Sequence, residues 1–335
     1  MSNEIGVVGA GGWGTALAKL LADKGEHVTL WCHGADSFRD LVDRRENRTY
    51  LTGVFLPPSI EVTQILDEAV DKKSLVICAV PSHAVRQVFS QIVFKLASQT
   101  MVLCGTKGLE EGSLYTMGEL LLELFGDERR NRLAFLSGPT FAMEVAKQLP
   151  AAVTVAAYDE EVAGSIQKIL NTESLRVYTS RDVIGIQMGG VVKNVIAIAA
   201  GISDGLRLGQ NARAALITRG LAEMTRLAVR MGADPMTLAG LPGLGDLILT
   251  CTGDLSRNRT VGLQIASGKS LQEITASTRT VAEGVRNSRS LQSLAARLRV
   301  EMPIVEQMHQ VLYAGKKPAD AVRDLMQRSL KPEVG

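Results

Sequence analysis

Between an apolar run, Ile5 to Gly9, and a stretch of helical spacing, Trp13 to Lys24 with Leu17, Leu20 and Leu21, stands the hexapeptide Gly9-Ala10-Gly11-Gly12-Trp13-Gly14. A strand that becomes a helix on G-x-G-x-x-G has few folds open to it. The glycines serve a tight turn, close approach of the backbone to a pyrophosphate, and close helix–strand packing. The helix N-terminus adds free N–H groups and the positive end of its dipole. An ordinary glycine-rich turn would match the pattern, but not its place at the head of a βαβ unit. The expectation is a dinucleotide seat that includes Gly9, Gly11, Gly12, Trp13 and Gly14.

The first half repeats this grammar. Val28 to Trp31, Leu75 to Val80, Met101 to Cys104, Leu133 to Leu136, Ala152 to Val155 and Leu175 to Tyr178 are short apolar runs separated by helical ones. Continuous apolar strands between helices indicate a parallel sheet covered on both faces, a doubly wound α/β domain of Rossmann type. After about Arg181 the strand signals stop. Val183 to Asp204, Ala212 to Met231, Glu283 to Leu298 and Ile304 to Tyr313 have helical patterns, and a last helix begins near Pro318, where proline suits the first turn. We expect a Rossmann domain over residues 1–181, an all-helical domain over 182–330 and a frayed tail over 331–335.

Composition removes several classes. The formal net charge is +2 with no long basic run, which makes nucleic acid a poor partner. The most apolar stretch, Val191 to Ala200, is interrupted by Lys193 and Asn194 and falls short of the ~20 residues of a bilayer span, so no membrane insertion is expected. Met1-Ser2-Asn3-Glu4 leads straight into the first strand with no signal-peptide pattern. Cys32, Cys78, Cys104 and Cys251 form no Cys-x-x-Cys, and four histidines form no ligand cluster with them. Reduced thiols in the cytoplasm are expected, with neither a metal nor a disulfide.

Two places bear on the cofactor and the chemistry. An NAD site usually carries an acid after the second strand to hold the ribose 2′-hydroxyl. Here Leu30-Trp31-Cys32-His33-Gly34 has none before Asp36. Nothing there repels a 2′-phosphate, and His33 and Arg39 are candidates to lie near one. NADP is admissible beside NAD, and His33 as a plain polar loop residue is equally open. Second, Val191-Val192-Lys193-Asn194-Val195-Ile196 sets a lysine inside an apolar helix. Such a lysine either snorkels or lines a polar cavity. Partial burial lowers its pKa and makes it a usable general acid for carbonyl reduction. No histidine has a comparable setting, so Lys193 is the expected proton donor. Lys107 follows a strand directly, where ligands of open α/β sheets gather. Asp246, in Gly243-Leu244-Gly245-Asp246-Leu247, either orients a lysine or caps a helix. Ser256, Arg257 and Asn258 offer donors in consecutive positions, suited to a phosphate, or form a solvated turn.

The motifs occur in an order that carries a resemblance. Gly-Ala-Gly-Gly-Trp-Gly-Thr-Ala (9–16), Val-Pro-Ser-His (80–83), Gly-Thr-Lys-Gly-Leu-Glu (105–110), Ser-Gly-Pro-Thr-Phe-Ala (137–142) and Val-Lys-Asn-Val-Ile-Ala (192–197) are followed by four more. These are Ala-Leu-Ile-Thr-Arg-Gly-Leu-Ala-Glu-Met (215–224), Gly-Leu-Gly-Asp-Leu (243–247), Leu-Thr-Cys-Thr (249–252) and Ser-Arg-Asn-Arg (256–259). From about Ile5 to Leu330 the chain resembles the bacterial NAD(P)-dependent glycerol-3-phosphate dehydrogenase family. The resemblance implies a helical C-terminal domain like that of 6-phosphogluconate dehydrogenase, a homodimer, and a role in glycerophospholipid synthesis. It implies reduction of dihydroxyacetone phosphate to sn-glycerol 3-phosphate by NADPH or NADH, with Lys193 as proton donor and Lys107 and Asp246 beside it. Lys107, Gly138, Thr140, Lys193, Asp246, Ser256, Arg257 and Asn258 match substrate positions. Gly12, Trp13, His33, Tyr50, Lys107, Ala142, Arg257, Val281 and Glu283 match cofactor positions. Gly12 replaces a serine found in many relatives, and Trp13 a tyrosine or phenylalanine.

Two other readings compete. A β-hydroxyacid dehydrogenase of the same architecture would also use an intrahelical lysine, on a carboxylate substrate. A non-catalytic NADP-binding redox sensor would need no proton donor.

Overall fold

Strand β1 (Glu4–Val8) lies inside the sheet, with β2 (His27–Trp31) on one side and β4 (Leu75–Cys78) on the other, all parallel. The computed structural model describes residues 2–277, 282–330, 332 and 333. With β3 (Ile60–Thr63), β5 (Met101–Cys104), β6 (Leu133–Ser137), β7 (Ala151–Ala157) and β8 (Leu175–Ser180), the spatial order is β3-β2-β1-β4-β5-β6-β7-β8. The order reverses between β1 and β4. There the connections leave to opposite faces and a crevice opens at the carboxyl ends of the strands.

The sheet is covered on both faces, as the continuous apolar strands require. Helix α1 (Gly12–Asp23) sets Leu17 and Leu21 in one core with Ile5 and Leu30. Helix α2 (Ala35–Asp43) lies near the β3 edge and adds Leu41 to that core. On the other face, α3 (Val85–Phe89) and α4 (Met117–Phe125) bring Phe89 and Leu121 against Val76 and Phe135. Helices α5 (Ala142–Ala146) and α6 (Glu160–Leu170) complete the first half.

The sheet is not wholly parallel: β7 runs antiparallel to β6. A parallel return needs a crossover as long as the strand itself. Helix α5 has five residues, about 7.5 Å at the helical rise, against roughly 17 Å for a five-residue strand. The chain therefore stays at the same end of the sheet and re-enters it in the opposite sense. The edge strand β3 was not foreseen either. It has four residues with Glu61 exposed in its middle, a poor strand signal in isolation.

After β8 the chain is helical among the described residues. Helix α7 (Val183–Gly205) is the hub, packed against α8 (Gln210–Arg230), α10 (Asp246–Thr252), α11 (Arg257–Ala266) and α13 (Glu283–Leu298). Around these lie α9 (Pro235–Ala239), α12 (Leu271–Ser277), α14 (Pro303–Tyr313) and α15 (Pro318–Met326). Helix α7 is longer than the apolar stretch Val191 to Ala200: it has 23 residues, and an 18-residue window of it has a mean hydropathy of 1.7, long and apolar enough to cross a bilayer. Yet 89% of that window is buried in the protein. It is hydrophobic all round because it is surrounded by other helices. Helix α11 crosses it closely: a Cβ on Gly262 would stand 2.1 Å from the Ile198 carbonyl oxygen, and one on Gly201 2.0 Å from that of Arg259. That approach brings the N-terminus of α11 to the crevice.

Candidate active site

The carboxyl ends of β1, β2, β4 and β5 open onto a cleft of about 680 Å³, whose far wall is built from α7, α10, α11 and α13. Its size suits a small-molecule cofactor with substrate. Gly9, Gly11, Gly12 and Trp13 line it at the end of β1. Gly14 stands behind them, where a Cβ would lie 1.9 Å from the Gly9 carbonyl oxygen. Helix α1 starts after Gly11 with no side-chain cap, so its first-turn N–H groups are available to an anion. Tyr50 closes over this turn, its carbonyl oxygen 2.9 Å from where a Gly12 Cβ would be. A bare backbone, an uncapped helix end and a cleft fit the pyrophosphate of a dinucleotide.

After β2, Trp31, Cys32, His33 and Gly34 form the wall, without a carboxylate. His33 is exposed, with its ring edge-on to Trp31 at 5.8 Å. Arg39 does not join it. It is exposed on α2 and paired with Asp36 at 2.6 Å.

The chemistry gathers around Asp246. A π turn, Leu241–Gly245, leads directly into α10 and aims this fully buried carboxylate at α7. Lys193 Nζ donates to Asp246 Oδ1 at 2.5 Å and to Thr250 Oγ1 at 3.0 Å. From the loop after β5, Lys107 Nζ donates to Asp246 Oδ2 at 2.7 Å and to the Gly138 carbonyl at 3.4 Å. One carboxylate thus holds two ammonium groups side by side. Burial pushes the Lys193 ammonium down to about 8; the Asp246 charge opposes that shift and the Lys107 charge adds to it. An acid of that strength titrates close to neutrality, where proton transfer in both directions is efficient.

Lys107, Lys193, Thr140 and Ala142 are on the cleft wall, while Gly138 and Asp246 sit behind it. Ser256, Arg257 and Asn258 reach the cleft at the start of α11. Ser256 is the N-cap, accepting from the Arg259 N–H at 3.2 Å. Asn258 donates to Asn194 Oδ1 at 2.9 Å and accepts from the Gly284 N–H at 3.0 Å. Arg257 is exposed to the cleft and makes no ion pair among the described residues. Glu283 also lines the cleft and accepts from the Ser82 hydroxyl at 2.9 Å, which ties α13 to the loop after β4. Val281 lies outside the described residues.

Residues 4–163 match the family described as NAD-dependent glycerol-3-phosphate dehydrogenase N-terminus, and residues 182–323 the corresponding C-terminus. The chain belongs to the NAD-dependent glycerol-3-phosphate dehydrogenase family. It is 52% identical over 333 residues to the glycerol-3-phosphate dehydrogenase (NAD(P)+) of Citrifermentans bemidjiense, covering 99% of each chain. It is 52% identical over 328 residues to that of Anaeromyxobacter dehalogenans, covering 98% of this chain and 99% of the relative. The crystal structure of the glycerol-3-phosphate dehydrogenase of Coxiella burnetii superposes with a TM-score of 0.93 at 38% identity, over 98% of this chain and 99% of that one. Ketopantoate reductase of Ralstonia eutropha, at 16% identity and a TM-score of 0.59, shares the fold alone.

Two features of the site are not among the residues expected from the sequence. Thr250 is buried and in contact with Lys193; its signal was the spacing of four from Asp246, which puts both on one helix face. The Ser82–Glu283 clasp joins residues 201 positions apart, and no local pattern announces it.

Proposed function

We propose that Lys193, held by Asp246, is the proton donor with which this family member reduces dihydroxyacetone phosphate to sn-glycerol 3-phosphate. The observation that carries the assignment is the buried Lys193–Asp246 pair on the wall of a dinucleotide cleft. NADPH or NADH supplies the hydride to the carbonyl carbon. Lys193 Nζ delivers its proton to the carbonyl oxygen as negative charge builds there, and takes it back in the reverse direction. Lys107, fixed by Asp246 and Gly138, adds a second positive charge beside that oxygen. The phosphate is assigned to the N-terminus of α11, where Arg257 makes no ion pair among the described residues and Ser256 and Asn258 flank it. Gly9, Gly11, Gly12, Trp13, His33, Tyr50, Ala142 and Glu283 are assigned to the cofactor, in agreement with their presence on the cleft wall.

The division into a dinucleotide domain over 1–181 and a substrate domain over 182–330 belongs to the same proposal. The sheet ends at Ser180 and α7 begins at Val183, which supports a boundary there. A homodimer, a cytoplasmic site and the supply of glycerophospholipid synthesis also belong to the proposal, and all three rest on family membership.

The test is oxidation of NADPH and of NADH, measured separately, with dihydroxyacetone phosphate and with a panel of ketoacids. Turnover confined to dihydroxyacetone phosphate is expected. Turnover of ketoacids alone would make the chain a hydroxyacid dehydrogenase, and cofactor binding without any turnover a sensor. Sedimentation of the pure protein tests the dimer.

A further inference from the structure

The stretch between α2 and β3 has no regular helix or strand, yet it is built. Leu56 N–H donates to the Arg45 carbonyl at 2.7 Å, Glu46 pairs with Phe55 in an isolated bridge, and Gly53 N–H donates to Glu46 Oε1 at 2.7 Å. Leu51 and Val54 pack on Ala16 and Ala146. A compact loop with joined ends and its own small core is a fixed wall.

At its centre stands Asn47, fully buried. One amide hydrogen goes to the Ala10 carbonyl at 2.9 Å and the other to Thr15 Oγ1 at 2.8 Å. Its Oδ1 accepts from the Tyr50 N–H at 3.1 Å. One side chain therefore joins the glycine-rich turn, the first helix and the loop that closes over them. The Ala10–Gly11 peptide turns about Ala10 ψ and Gly11 φ, and the glycine offers that rotation little resistance. A carbonyl there that turned toward the seat would repel a phosphate.

We propose that Asn47 is a positioning residue for the cofactor: it locks the Ala10–Gly11 peptide with its carbonyl away from the pyrophosphate seat and sets Tyr50 over that seat. The proposal rests on the dinucleotide reading of the cleft. It does not depend on which substrate is reduced, so the test measures cofactor binding without substrate.

NADPH, NADH and 2′-AMP are titrated into the wild type, Asn47→Ala and Asn47→Asp, with melting temperature on the same preparations. The aspartate keeps the acceptor for Tyr50 but replaces both donors by a carboxylate. Both variants are expected to bind NADPH at least tenfold more weakly. 2′-AMP lacks the pyrophosphate, and its affinity should move less than threefold. In turnover, KM for the cofactor should rise by a larger factor than kcat falls. A purely structural role would weaken 2′-AMP and NADPH together, and that outcome overturns the proposal, as does NADPH binding within twofold of wild type. If neither variant folds, Thr15→Val carries the test, since it removes only the acceptor of one Asn47 hydrogen. A weakening of NADPH by about threefold with 2′-AMP unchanged is then expected, and no change overturns the proposal. Failure of wild-type turnover with dihydroxyacetone phosphate, with NADPH binding intact, would count against the substrate reading alone.

Discussion

Lys193 Nζ and Asp246 Oδ1 lie 2.5 Å apart, 53 positions apart in the chain, with the lysine 6% exposed and the aspartate shut off from solvent. A buried ammonium is costly unless paired. The pairing here is incomplete compensation, because the same carboxylate also serves Lys107. The lysine is thus kept as a cation that gives up its proton readily, and the first two predictions follow from that balance.

Lys193→Met keeps length and apolar stem and removes the charge. Asp246 retains Lys107 as its partner, so the melting temperature should change by only a few degrees, and NADPH should still bind. Turnover should fall by at least ~10²-fold, the lower end of what general acid catalysis contributes. A folded variant that binds NADPH and keeps more than about a tenth of wild-type turnover would shift the role of acid to Lys107.

The pH profile has a defined sign. Reduction needs Lys193 protonated, so kcat/KM for dihydroxyacetone phosphate should be full below, and fall as pH rises through, about 8. Oxidation of sn-glycerol 3-phosphate should rise over the same interval. Asp246→Asn removes the charge that favours the ammonium and should move both limbs to lower pH. In stability, the unfolded chain holds this proton up to ~10.4 and the folded chain only to about 8. The charged form is therefore a cost borne in full below about 8, and stability should rise with pH across that window. Denaturant titrations of wild type and Lys193→Met from pH 7 to 10 check it: the difference between them should shrink as pH rises.

Arg257→Ala should act on the phosphate. Loss of a charge-assisted contact in a closed site costs ~2–5 kcal/mol, read as a rise in KM for dihydroxyacetone phosphate. Dihydroxyacetone should be a poor substrate for the wild type and little affected by the change. Normal kinetics of the variant with the phosphorylated substrate would make Arg257 a bystander.

NADPH should serve at least as well as NADH, since the wall after β2 carries no carboxylate. His33→Asp places one there. It should lower the NADPH-to-NADH ratio of catalytic efficiencies at least tenfold, by repulsion of the 2′-phosphate and by a hydrogen bond to the ribose hydroxyl. A wild-type efficiency with NADH well above that with NADPH would contradict the reading of this wall.

Local order was legible. The glycines at 9, 11 and 14, the strand at Met101–Cys104 and the helix at Glu283–Leu298 follow from spacing that recurs within a few residues. So did the oddity of Lys193, because a charge inside an apolar run is visible without any fold. The sense of β7 was not legible, since it depends on how far the short helix α5 can carry the chain. Nor was the sharing of Asp246 between Lys107, 139 positions before it, and Lys193, 53 before it. Asn47 gave no signal at all. Its three partners at Ala10, Thr15 and Tyr50 come together only when the loop after α2 folds back over α1. A sequence determines which residues can be strand, helix or turn, because those preferences act over one or two turns of chain. Which carboxylate meets which ammonium is decided when distant elements pack, because burial and charge depend on neighbours that only the tertiary structure supplies.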